Sequence, residues 1–198
     1  TVICTDKTGT LTQNKMEVEK IWTASDGKYN PLTPPFEKGG REGVFKKGER
    51  QVGSHDMLIK IACLCNNAVY DGEKYKGDPT EAAILKAARK ALGDVKDVRY
   101  KELSHVLKAE RIFEIPFDSE RKRMTTVNII PPPFSKGGEG GFVVLTKGAL
   151  ETLLPLCTGI FINNEIKTFS NDTKESLMHA YYSMMDEGLR VIAFAYKE

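Results

Sequence analysis

The chain has 198 residues, of which 40% are apolar and 28% charged, and its 29 basic and 27 acidic side chains leave a formal net charge of +2. That length suits one domain of ordinary size, or one domain with a piece of another, and allows a sizeable core. The charge balance argues against a general nucleic-acid or membrane-surface binder. No apolar run approaches the ~18 residues of a membrane span, and the first residues lack the basic flank and apolar stretch of a signal peptide, so a soluble piece is expected. Cys4, Cys63, Cys65 and Cys157 form no CxxC pair and the three histidines are scattered. Free thiols in a reducing compartment are therefore expected, rather than zinc or disulfides.

Val2-Ile3-Cys4 reads as a short buried strand delivering Asp6 at its C-terminal end, where α/β sheets bind ligands. Residues 15–24 read as a second strand of mixed periodicity, and residues 31–50, rich in Pro, Gly and Lys without a period, as loop. From Ser54, the residues Met57, Leu58, Ile61, Ala62, Leu64, Cys65 and Ala68 fall at helical spacing. Within that pattern Cys63 and Cys65 point in different directions. A second helix opens at Asp78-Pro79-Thr80-Glu81, with an acidic N-cap, Pro at the first helical position and Glu at the third. It runs through Ala82, Ile84, Leu85, Ala88 and Leu92 and stops at Gly93. Strands are expected over 111–117, 124–130 and 142–147, and the alternation in "MTTVNII" fits a sheet with one buried face. A short helix over 149–156 and a hairpin in "FINNEIK" follow. Ser170 caps a long helix with Leu177, Ala180, Tyr181, Met184 and Met185 inward; Gly188 ends it, and "LRVIAFAY" is the last strand. The expected fold class is α+β, a largely antiparallel twisted β-sheet flanked by helix pairs.

"PPFEKGGREG" (34–43) and "PPFSKGGEGG" (132–141) nearly repeat each other. Two distant copies make no solenoid, and Pro and Gly at this density build no packed core. They read as flexible inserts, at about 33–50 and 131–141, without a catalytic role. Deleting 34–43 and 132–141 together is expected to leave ligand affinity unchanged in a titration, and a clear loss would make them part of the site.

The stretch "DKTGTLT" at 6–12 carries the densest chemistry. The carboxylate of Asp6 can attack phosphorus and form an acyl-phosphate. Lys7, Thr8 and Thr10 can neutralise or hydrogen-bond phosphoryl oxygens, and Gly9 admits a close backbone approach. The bland alternative is a polar turn after a strand. As a whole string, however, "ICTDKTGTLTQNKM" resembles the phosphorylation motif of P-type cation-transporting ATPases, whose phosphoryl acceptor sits on a haloacid-dehalogenase-like domain. Four further stretches resemble the same family in the same order: "KGDPTEAAIL" (76–85), "FDSERKRMTTV" (117–127), "KGALETLL" (147–154) and "GLRVIAFAYKE" (188–198). The pattern is most similar to the calcium-pump-like branch.

The resemblance implies a role for each matching residue. Phe117 would stack on adenine, although a core phenylalanine at a strand end is plausible on sequence alone. Lys122 and Lys147 would face the adenine edge or the phosphates, with Gly148 keeping the approach beside Lys147 open. Arg190 would contact the phosphates. Glu81 would approach the adenine amino group or, equally, cap its own helix. Two positions depart from the family. Ser119 stands where many animal pumps carry an arginine, and Leu150 replaces the proline of Lys-Gly-Ala-Pro.

Residues 1–22 then belong to a phosphorylation domain, and 23–198 to a nucleotide-binding domain. The implied ligand is ATP or ADP. Mg2+, with Asp6 and Thr8 among its ligands, is implied only for the intact enzyme. Thr8 also stands where phosphatases of the haloacid-dehalogenase class carry a second aspartate as general acid and base, and no downstream Gly-Asp-Gly-x-Asn-Asp string is present. The chain is therefore expected to bind nucleotide weakly without turning it over, as a monomer, with residues 1 to about 22 poorly packed or borrowing contacts from elsewhere. Its implied partners are the remaining phosphorylation, actuator and membrane domains of the same pump, with no nucleic acid. Its implied place is a cytoplasmic domain of an integral membrane protein. Two alternatives stay open: a haloacid-dehalogenase-like phosphatase, and a non-enzymatic interaction module built on the two Pro-Gly-Lys loops.

Overall fold

A computed structural model describes residues 16–24, 27–29, 54–91, 109–130, 141–162 and 165–198. The strand expected at Val2–Cys4, the 6–12 motif and most of both inserts lie outside the described residues.

A four-stranded antiparallel sheet carries the domain, in the order β10-β7-β6-β5: β5 (Glu110–Asp118), β6 (Arg123–Ile130), β7 (Gly141–Gly148) and β10 (Ala193–Lys197). Alternation decides its faces. Along β6, Met124, Thr126, Asn128 and Ile130 are buried, and along β7 Val143, Leu145 and Lys147 join them. β5 lies at the edge of this sheet, with register shifts between Arg111 and Phe113 and between Ile115 and Asp118. The second shift holds Pro116, a residue that sheets tolerate at edges and bulges.

Helix α1 (Ser54–Leu64) lies between two cores. Met57, Ile61, Leu64 and the adjoining Cys65 pack on Met124, Ile130, Val143 and Leu145 of the sheet. Ile59, Ala62 and Cys63 turn to Ile84, Leu85 and Ala88 of α2 (Pro79–Ala91). The two thiols thus serve opposite layers, as their spacing implies. Burial pushes the Cys63 thiol up to about 12 and raises Cys65 as well, which makes both poor nucleophiles.

Between the helices runs a two-residue-per-strand hairpin, β3 (Val69–Tyr70) and β4 (Tyr75–Lys76), turning at Asp71-Gly72. Residues 149–156 divide into a short helix α3 (Leu150–Leu153) and one 3-10 turn at Leu154–Leu156. The hairpin expected in "FINNEIK" pairs β8 (Gly159–Ile162) with β9 (Glu165–Thr168). Helix α4 (Asn171–Asp186) opens with the Ser170 side chain accepting from the Thr173 N–H, and buries Ala180 and Met184. It stops where Gly188 adopts φ +76°, and the N–H groups of Gly188 and Leu189 close on the carbonyls of Met185 and Met184.

Four expected boundaries move. Helix α1 ends at Leu64, so Cys65 and Ala68 follow it rather than lie within it. The last strand starts at Ala193 rather than Leu189, because Leu189 is spent on closing α4. Gly141 is the first residue of β7 rather than the end of an insert. Within 15–24, only β1 (Ile21–Thr23) is strand, paired with β2 (Gly27–Tyr29). The segment 16–23 is also fastened to the domain. Met16 Sδ accepts from Thr80 Oγ1, Glu17 pairs with Lys86 at 2.6 Å, and Lys20 pairs with Glu187. Residues 16–22 therefore borrow contacts from the rest of the domain rather than being poorly packed, and the division placed at 22/23 falls inside β1.

Candidate nucleotide site

One end of the sheet collects the residues singled out above. Asp118, Arg123, Gly148 and Ala193 form a transverse row across the four strands. Phe117 precedes that row on β5, Lys122 stands in the turn just before β6, and Lys147 adjoins the row on β7.

Phe117 is 64% exposed, so it is no core phenylalanine. The tight turn that follows is built by Asp118, whose Oδ1 accepts from the N–H groups of Arg121 (2.8 Å) and Glu120 (3.0 Å). These bonds, the Arg121 one first, hold its carboxyl below the ordinary carboxylate range. The turn ends in Lys122 at φ +49°, the one non-glycine residue with positive φ among the described residues. A lysine there carries roughly 1–2 kcal/mol of left-handed strain, and strain of this kind collects at functional positions. We predict that Lys122→Gly keeps the melting temperature or raises it, by up to about 1 kcal/mol of stability, while weakening ATP binding. A lower melting temperature with unchanged affinity would make Lys122 a structural residue.

The role of Gly148 follows from contact. A Cβ on it would come within 2.4 Å of the Lys122 carbonyl oxygen and 2.7 Å of Arg123 Cβ. The Ala149 N–H meanwhile donates to that same carbonyl at 3.0 Å. Gly148 therefore lets the Lys122 turn close against β7. The Lys122 ammonium lies 3.5 Å from Glu151 Oε1, and Glu151 Oε2 accepts from Tyr181 Oη of α4.

Lys147 ends the buried row of β7, and its charge is answered there. Its Nζ lies 2.5 Å from Glu81 Oε1, and the two side chains are only 10% and 16% exposed. Glu81 does not turn back on its own helix. Asp78 Oδ1 takes the N–H groups of Thr80 (2.8 Å) and Glu81 (3.2 Å), while Glu81 Oε2 accepts from the Asn67 N–H at 3.3 Å. One residue earlier, Thr80 Oγ1 accepts from Arg190 Nη1 at 3.3 Å, which brings Arg190 to the same helix end. Arg190 lies ahead of β10, exposed, and not within the strand.

The structure thus joins Glu81 directly to Lys147, joins Arg190 to their neighbour Thr80, and seats Lys122 on Gly148. Phe117 stands at the open rim. Asp6, Lys7 and Thr8 lie outside the described residues. Sequence reading missed Thr80, Asn66, Asn67 and Glu151, whose roles arise only from contacts across the fold. Among the described residues, no three metal-ligating side chains come together, and no helix is long and apolar enough to cross a membrane.

Comparison with known proteins identifies the family. The family model described as P-type ATPase, cytoplasmic domain N, matches residues 54–198. Calcium-transporting ATPase 1 of Bacillus cereus is 38% identical over all of the chain, and the chain covers 19% of that protein. The calcium-transporting ATPase of Bacillus subtilis is 34% identical over 99% of the chain, which covers 21% of it. The sodium/potassium-transporting ATPase alpha subunit of Drosophila melanogaster is 32% identical over 97% of the chain, which covers 18% of it. The chain thus spans about a fifth of the length of these relatives. With motifs, fold and matches in agreement, the chain belongs to the P-type ATPase family, as its cytoplasmic domain N.

Proposed function

We propose that the chain binds ATP and ADP at the Asp118–Gly148 end of the sheet and, within an intact pump, presents the γ-phosphate to Asp6. The adenine stacks on Phe117, Lys122 and Arg190 reach the phosphates, and the Glu81–Lys147 pair forms the floor. The observation that carries this reading is the ring of Phe117, 64% exposed at a strand end beside a cationic turn. An aromatic that adds so little to the core is free to take a base. Stacking contributes roughly 1–3 kcal/mol per base, and a millimolar dissociation constant corresponds to about −4 kcal/mol. A stacked base with two or three charge contacts supplies that after the association terms.

The whole-pump part of the proposal is chemical. Asp6 is the nucleophile, with Lys7 and Thr8 on the phosphoryl oxygens. Asp6 and Thr8 offer the oxygen ligands that Mg2+ prefers, and the ion would neutralise charge on the transferring group. The 6–12 motif belongs to the phosphorylation domain, and the actuator and membrane domains complete the pump, in which ATP hydrolysis drives cation translocation. The chain by itself holds nucleotide without turnover. The test is an ATP titration followed by amide NMR. Saturable shifts should cluster at Phe117, Lys122, Lys147 and Arg190. A folded sample without shifts at millimolar ATP would overturn the reading.

A further inference from the structure

We propose that Asn66 is a positioning residue of this pocket: its buried amide fixes the first turn of α2 and, through Glu81, aims Lys147. The proposal rests on the nucleotide-binding reading and deepens it, because it names what holds the pocket floor in place before any ligand arrives.

Asn66 follows α1 directly and is 0% exposed. A buried amide brings two N–H donors and an acceptor that must all be satisfied. Here Nδ2 donates to the carbonyl of Ala62 at 3.2 Å and to that of Glu81 at 3.0 Å, and Oδ1 accepts from the Ala68 N–H at 2.8 Å. The first bond answers an orphan carbonyl in the last turn of α1. The second reaches a different helix and takes hold of Glu81 by its main chain. The next residue, Asn67, holds Glu81 by its side chain, donating its N–H to Oε2. Glu81 is therefore gripped at both ends by one dipeptide, and its remaining oxygen takes Lys147.

The dipeptide is itself fixed. Arg111 of β5 donates to the carbonyls of Leu64 (2.6 Å) and Asn66 (2.7 Å). The Asn67 side chain bridges Arg111 (2.6 Å) and Glu114 (2.7 Å). Apolar contact between Ala62 and Cys63 on one helix and Ile84 and Leu85 on the other already holds α1 to α2. What the amide adds is direction: with its own donors and acceptor all taken, it selects one arrangement from the several that apolar packing tolerates. An aspartate at 66 would keep the acceptor and lose both donors.

The test uses the 198-residue chain, isotopically labelled, with ATP as ligand and an amine-acylating reagent as the probe of Lys147. In the unaltered protein, the Asn66 side-chain amide resonances should shift at saturating ATP. Those of Asn128, equally buried but in the middle of β6, should not. Shifts at Lys147 without one at Asn66 overturn the proposal. In Asn66→Asp, acylation of Lys147 should accelerate several-fold and the ATP Kd should rise about three- to tenfold, the coupling expected within one hydrogen-bond network. Both effects should shrink below about twofold when Glu81→Gln is already present. Equal effects in the two backgrounds overturn the proposal, because a merely structural amide acts regardless of Glu81. Asn66→Ser runs the same cycle if the aspartate variant fails to fold. If the unaltered chain shows no ATP shifts, the nucleotide reading falls, and acylation decides alone. Faster acylation that depends on Glu81 keeps the positioning role, and unchanged acylation removes it.

Discussion

In Phe117→Ala, the ATP-induced shifts at Lys122, Lys147 and Arg190 should lose saturation at millimolar nucleotide while the protein stays folded. Two magnitudes make this effect large. Stacking accounts for roughly 1–3 kcal/mol per base, out of the total of about 4 kcal/mol that a millimolar constant represents. Losing it weakens binding about five- to 150-fold, beyond the reach of a titration. The same change should be nearly silent in stability, within about 0.5 kcal/mol, because a ring 64% exposed leaves no cavity behind. Melting temperature and affinity should therefore separate. A variant that binds ATP as well as the unaltered chain would move the adenine elsewhere and remove the central support of the nucleotide reading.

Glu81→Ala should act on both quantities. It strands the Lys147 ammonium, a side chain only 10% exposed, without the carboxylate beside it. Breaking a buried pair from one side destabilises by about 3–5 kcal/mol, and the residual exposure of this pair places the expected loss near the lower bound, at about 3 kcal/mol. Replacing both members with apolar groups of similar volume is far milder. Thermal melts should thus show a deep drop for Glu81→Ala and substantial recovery for Glu81→Leu with Lys147→Met. ATP binding should stay impaired in both. Recovery of affinity along with stability in the double variant would show that the pair supports the fold alone.

The legible parts of this chain were those fixed by local rules. The stripe that starts at Met57, the Asp78-Pro79 start of α2 and the Ser170 cap of α4 each encode a helix within one or two turns, and the structure has all three, although the first stops at Leu64, short of Ala68. Alternation in "MTTVNII" gave β6 its buried face. The β3–β4 hairpin was overlooked although Asp71-Gly72 is a strong turn signal, because two-residue strands carry no readable period. Arg190 looked like a charge within an apolar strand, since nothing local says that the residue after Gly188 completes a helix end. In the site, single residues could be nominated, but their pairing could not. Glu81 meets Lys147 across 66 residues, and the choice between a self-capping glutamate and an outward one was decided only by the partners its two oxygens find, Lys147 and the Asn67 N–H. Asn66 gave no signal, because a buried asparagine is recognised by what surrounds it.

The fastening of Met16 to Thr80 carries a consequence for concentration. Thr80 also accepts from Arg190, so Met16 is held beside the residues proposed to touch phosphate. Asp6 lies ten residues before Met16, and a fully extended chain of that length spans at most about 35 Å. The proposed acceptor carboxylate is therefore leashed to the rim of the proposed nucleotide site. A short tether confers a local concentration of about millimolar order. On the proposed function, a site that releases nucleotide easily would then be no handicap: the leash would keep the proposed acceptor near each ATP that stops there, and weak retention would let the spent ADP leave.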